Sequence, residues 1–285
     1  MVTRLLLVLL VALIARCASG EDGADALSDT AGDETLDASE GPEDITEEGP
    51  ACAPNNDGVL ERSEIVFIPG ASVLYTMNAP GSTVEVDLVP GTGSEGEPLW
   101  DFSEPMEESV TLTYNAIGDQ WYAAEFPGAT YALPVSPGAD DVGLYRFTDS
   151  DISLMGMASE EEGLTLMKYA PAVPILRFPL EKDDQWVVTS RIDGGLLEGG
   201  PYTSEDTYEV EVIDVGTVDL GYMEMKQTLT VRITTVQRFP GGTSRASLQV
   251  VWLHECYGEI VRVRSLDGET DPEFTEASEV RILAM

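Results

Sequence analysis

"TYEVEVID", residues 207–214, and "TLTVRITT", residues 228–235, decide the fold class. In the first, Tyr208, Val210 and Val212 share one face, with Thr207, Glu209 and Glu211 opposite. In the second, Leu229, Val231 and Ile233 oppose Thr230, Arg232 and Thr234. Alternation with period two is the pattern of a strand that has one face on a core and one in water.

The same pattern extends in both directions. "EIVFI" at 64–68, "SVLYTM", "TVEVDLV", "VTLTYNA", "QWYAAEF" at 120–126 and "TYALPV" read as strands separated by Pro-Gly and Asn-Ala-Pro-Gly breakers. "GLYRFTD", "DISLMGMAS", "LTLMKYA", "QWVVTSRI", "ASLQVVWLHE" and "GEIVRVRS" continue the series. A short stretch at 272–279, "PEFTEASE", is the one helical expectation. The Pro-rich run at 171–174 is expected to be extended and marks the natural seam of the folded part. An all-β chain is therefore expected over residues 51–285, as an antiparallel sandwich, barrel or half-barrel.

Ahead of it, Arg4 and an apolar run from Leu5 to Ile14 read as a signal peptide within residues 1–20, too short for a mature membrane span. Two exits are open. Ala18-Ser19-Gly20 suits ordinary cleavage, whereas "LIARC" ending at Cys17 resembles a bacterial lipobox, with Arg16 where that pattern has a small residue. Lipidation of Cys17 would give an outer-membrane or cell-surface lipoprotein, and cleavage after Gly20 a secreted or periplasmic protein. Residues 21–50 hold twelve Asp or Glu and no Lys or Arg. Such a stretch buries too little apolar surface to offset its ordering entropy, and it reads as a disordered acidic linker.

The chain carries a formal net charge of −37. This disfavours nucleic acid and anionic lipid surfaces as partners, since a phosphate backbone is bound through a basic footprint. A membrane reached through a lipid anchor, and a protein, glycan or lipid partner, remain compatible. Cys52 and Cys256 are the two cysteines left in an exported chain, and the oxidising compartment invites a disulfide between them.

"CAPNNDGVLERSE", residues 52–64, resembles most of a calcium loop. Aligned on Gly58, it offers Asn55, Asp57, Glu61 and Glu64 as oxygen ligands, with Ala53 where the first ligand would stand. The same residues also make an ordinary Asn-Asp-Gly turn, which needs no metal. No other cofactor is suggested. His254 is the one histidine, in a strand beside Trp252, where a packed ring is the commoner use. No GxSxG elbow, CxxC pair, phosphate-binding loop or dinucleotide fingerprint is present, so no catalytic residues are assigned. Trp100, Trp121, Trp186 and Trp252 are expected as large members of the core.

The lipobox-like Cys17, the acidic linker, "CAPNNDGVLERSEI", "YAPAVPILRFPLEKDDQW" and "VWLHECYGEIVRVRS" together resemble cell-envelope lipoproteins of the myxobacterial type. The resemblance implies an exported, surface-attached, β-rich protein and supplies no catalytic residues. The expectation is a non-enzymatic envelope protein that presents a β domain for binding or structural interaction. A carrier of lipid or another hydrophobic ligand in a curved-sheet groove, and a calcium-stabilised glycan-binding module, are the alternatives.

Overall fold

The computed structural model describes residues 52–136 and 138–284. Its strands are β1 Ser72–Met77, β2 Val84–Glu85, β3 Gly91–Thr92, β4 Pro98–Asp101, β5 Glu108–Thr113, β6 Asn115–Ala116, β7 Tyr131–Pro134 and β8 Asp141–Phe147. They continue as β9 Asp151–Ser159, β10 Leu166–Arg177, β11 Gln185–Leu197, β12 Gly200–Asp219, β13 Glu224–Arg238, β14 Ser244–His254, β15 Gly258–Ser265 and β16 Glu276–Leu283. All belong to one sheet, whose main path runs β5-β1-β16-β15-β14-β13-β12-β11-β10-β9-β8-β7-β6.

The two ends of that path are consecutive in the chain. Only Tyr114 separates Thr113 of β5 from Asn115 of β6, so the sheet curls until its ends meet at this residue. The result is a nearly closed antiparallel barrel, one of the expected sheet forms.

Turn chemistry explains the meander. Glu198 and Gly199 form the two-residue link between β11 and β12 with φ of 48° and 74°, the left-handed pair that matches strand twist. Phe239-Pro240-Gly241-Gly242 joins β13 to β14 in the same spirit, with both glycines at positive φ.

The alternation read from sequence is the one observed. Tyr208, Val210 and Val212 of β12 and Leu229, Val231 and Ile233 of β13 are buried, in register with β11 and β14. From β14 to β16, however, the sheet is covered on both faces. Trp252, Val261 and Ile282 face outward onto the excursion that carries β4, where Trp100 and Phe102 meet Trp252 edge-on at 5.9 and 4.8 Å. β4 itself lies parallel to the end of β12, Trp100 beside Val218. The approach requires Gly216, where a Cβ would come within 2.4 Å of the Pro98 carbonyl.

Three local expectations are corrected. Residues 272–279 form no helix: Glu276 onward is β16, because the alternating Ala277, Glu279, Arg281 and Leu283 find partners on β1 and β15. "QWYAAEF" is not a strand but a 3₁₀ segment, Trp121–Glu125. Its Tyr122 and Phe126 turn onto a small cluster with Ala132, Val142, Leu144 and Ala158, and Phe126 occupies the space left by the missing side chain of Gly156. "EIVFI" begins on the last residue of a one-turn 3₁₀ segment, Arg62–Glu64, and forms no ladder.

The run 171–174 lies inside β10, paired with β9 and β11 on its two sides. Its prolines, which cannot donate to a ladder, sit where the register with β9 slips between Lys168 and Val173 and again after Pro174.

Candidate functional site

Five charged side chains of β15 and β16 cluster in the barrel interior. Arg262 and Arg264 of β15 and Glu279 and Arg281 of β16 alternate inward, and a register slip between Trp252 and Leu253 turns Glu259 to the same side. None is more than 4% exposed. Glu259 accepts from Arg262 Nε at 3.2 Å through Oε2 and from Arg281 Nε at 3.1 Å through Oε1, with the Nη2 atoms of both arginines on the same oxygens. Buried charges persist only when paired in this way.

Tyrosines surround the cluster. Tyr75 donates its hydroxyl to the Glu259 carbonyl at 3.1 Å, and Arg281 lies 5.0 Å above the Tyr75 ring. Tyr131 stacks on Tyr145 at 5.0 Å and meets Tyr114 edge-on at 5.5 Å. Burial pushes the Tyr145 hydroxyl up to about 12, against the pull of Arg262. Burial also raises Tyr75, with Glu259 adding to it. These phenols stay neutral.

A second polar group lies on the same face further round the sheet. Tyr208 donates to Tyr169 at 2.8 Å, and Tyr169 and Gln237 donate to Asp206 at 3.2 and 3.4 Å. Asp206 is fully buried, and desolvation raises its pKa despite those hydrogen bonds.

At one end the barrel is open. Where β1, β7 and β9 finish and β8 and β16 begin, a cavity of about 640 Å³ is lined by Met77, Val135, Met157, Leu164 and Leu266 on its apolar side. Its polar side includes Asp140, Asp141, Glu198 and Glu279, and among the described residues no Lys, Arg or His lines it. Glu279 marks where the cavity meets the buried charges. Its Oε1 accepts no hydrogen bond from the described residues and lies 3.8 Å from Arg281 Nη1. Burial opposes its ionisation, but Arg281, Arg262 and Arg264 outweigh that and hold its pKa below the usual range.

Cys52 and Cys256 are joined by a disulfide, as the compartment argument anticipates. It ties the segment entering the barrel to the turn between β14 and β15. There the Glu255 carboxylate accepts from Asn56 N at 2.8 Å and Asp57 N at 3.2 Å. Asn55 and Asp57 hydrogen-bond each other, and Asp57 Oδ1 accepts from Val59 N. Glu64, three residues after Glu61, accepts from Glu61 N at 2.8 Å and is buried. The four residues aligned with a calcium loop are thus drawn into turn and cap contacts. Among the described residues no group of three or more His, Cys, Asp or Glu has an arrangement that could hold a metal ion.

His254 is buried, its Nδ1 lies 2.7 Å from the Glu255 carbonyl, and desolvation lowers its pKa. Trp100, Trp186 and Trp252 are buried, and Trp121 donates its indole N–H to the Ser159 carbonyl at the rim. Cys17 lies outside the described residues.

The buried charges were not legible as a site. Arg262 and Arg264 alternate with Val261 and Val263, which in a half-solvated strand would put the arginines in water. The available signal was "EVRIL" beside "IVRVR", two strands that each alternate arginine with β-branched residues and so can face each other across a sheet. No protein-family model, curated protein or solved structure matches this chain.

Proposed function

We propose that the protein is a non-enzymatic, exported binding protein that takes a small, largely apolar molecule into the mouth of its barrel. The mouth cavity carries this reading, because a concave space with apolar walls and a few convergent polar groups is the usual form of a small-molecule site. A signal segment, the acidic linker over 21–50 and a lipid on Cys17 would hold the barrel at the cell surface, as in the envelope lipoproteins it resembles. Cleavage after Gly20 would release the same barrel as a soluble carrier. A non-enzymatic role is supported by the interior chemistry. The Glu259 carboxylate is bound by two guanidiniums, and the lone histidine is buried against a carbonyl.

Uptake of the uncharged dye Nile red by the intact protein tests the reading. Fluorescence should rise on binding, and Leu164→Trp, at a 41% exposed lining position, should suppress it by filling the cavity. No uptake, or equal uptake by the variant, would overturn the proposal.

A further inference from the structure

We infer that the free edge of β5 is a docking site for an extended, basic segment of a partner protein, which adds to the sheet as one more strand. β5 pairs with β1 along all of its length, from Ser72 opposite Thr113 to Met77 opposite Glu108. Its other side has no ladder. The sheet path ends at β5, and β7 is paired only with β6 and β8 among the described residues. Among those residues, no β5 backbone group has a hydrogen bond beyond the ladder to β1. Every second N–H and C=O along an edge strand points away from the sheet, so a row of unused donors and acceptors lies along β5.

The edge has a form that another strand can match. Its register with β1 has no bulge, and "ESVTLT" contains no proline or lysine, the usual protections of an edge. Ser109 and Thr111 are exposed, and Val110 is half-buried. Val110 and Leu112 share the inner face with their partners Tyr75 and Val73, while Ser109, Thr111 and Thr113 lie on the outer one. An added strand would set apolar side chains beside the first pair and polar ones beside the others. That alternation is what gives strand addition its specificity.

Charge identifies the partner. Residues 63–145 supply β1 to β7, and so both sides of the unpaired edge. They contain thirteen Asp or Glu and no Lys, Arg or His. Glu104, Glu107 and Glu108, where the chain enters β5, are all exposed. The linker over 21–50, with twelve acidic residues and no Lys or Arg, carries the repelled sign. So does a second copy of a chain with net charge −37. A basic segment is the one that this field attracts.

Two short peptides blocked at both ends test this, valine and threonine alternating between terminal lysines in one and terminal glutamates in the other. Each is titrated into the intact protein at low salt while amide hydrogen exchange is followed along β5. The lysine peptide should bind about tenfold more tightly than its glutamate counterpart, the gain typical of a few exposed charge contacts, and should slow exchange in β5. Of its two alternately N-methylated forms, one should lose binding, because one set of its N–H groups faces β5. Glu107→Gln together with Glu108→Gln should remove most of the preference for lysine while exchange in β5 still slows, which also shows that the variant is folded. Equal binding of the two peptides would overturn the basic partner. Binding without slowed exchange in β5, or binding by both methylated forms, would overturn strand addition, and no binding would overturn both. A dimer of the protein alone, dissociated by the lysine peptide in sedimentation, would make a second copy the occupant and overturn the inference.

Discussion

Arg262 and Arg281 are direct partners across β15 and β16, yet both guanidiniums close on one carboxylate, that of Glu259. Two like charges opposite each other in a sheet destabilise it. Glu259 turns that liability into a fixed arrangement at the centre of the barrel. The burial of all three is tolerable because each polar head is bound, and the same low dielectric makes removal of one member costly.

Glu259→Gln should therefore destabilise the barrel by about 3–5 kcal/mol, the cost of leaving buried guanidiniums without their counter-charge. Replacing all three with Glu259→Met, Arg262→Leu and Arg281→Met should recover much of that loss. Urea unfolding of the single and triple variants checks both. A single variant within 1 kcal/mol of wild type, by the same measurement, would mean the pairing is not essential.

The disulfide ties residues 204 apart, and in the chain-entropy account a loop of that size contributes about 5 kcal/mol at most. Cys52→Ser should lower stability by about 2–5 kcal/mol, or roughly 5–15 °C in Tm for a domain of this size. Calorimetry of the variant beside reduced and oxidised wild type tests this. Reductant should shift only the wild type.

His254 carries a pH prediction of definite sign. Its folded pKa is depressed, chiefly by desolvation, so the unfolded chain binds its proton more readily than the folded one. Its contribution to stability is present above the unfolded value of about 6.5 and is lost as pH falls through the folded pKa. Asp206, raised by burial, acts in the opposite sense, its stabilisation fading as pH rises above about 4. The histidine term is isolated by comparing wild type with His254→Gln at pH 5, 6 and 7. The stability gap should grow in favour of wild type as pH rises; parallel curves would contradict the assignment.

Calcium should leave the melting temperature unchanged. Asp57 gives its oxygens to Asn55 and Val59, and Glu64 caps the turn at Glu61, so the segment is organised by its own N–H groups. Melting in millimolar calcium and in chelator provides the check. A rise with calcium that disappears in Asp57→Asn would restore a metal role to Asn55, Asp57, Glu61 and Glu64.

Much of the fold was legible because period-two alternation depends on the chain alone. "TYEVEVID" and "TLTVRITT" bury the residues they advertise. What misled was context. "QWYAAEF" has strand-like composition, but Tyr122 and Phe126, which a strand would set about 13 Å apart, meet in one small cluster because the backbone coils. "PEFTEASE" has helical composition, but Glu276 onward has waiting partners on both sides. The disulfide followed from compartment and count. The mouth cavity could not be foreseen, because Met77, Asp141, Leu164 and Glu279 are assembled by barrel closure from distant parts of the chain. The inward arginines were hidden by a sheet covered on both faces, where alternation no longer distinguishes core from water.

The pairing of β1 with β16 also governs when the barrel can form. Tyr75 lies opposite Leu283, a span of more than two hundred residues, while most other neighbours along the path are hairpins. Hairpins can assemble in sequence as the chain is synthesised, but β1 must wait for β16, which is made after every other strand. Contacts of such long range slow folding, since the loop must close before the contact gives any return. Until then β1 and β15 present open edges, the condition that favours association with other chains. The barrel is complete only once residue 283 has been made. A chain stalled before β16 would therefore be prone to associate through these open edges.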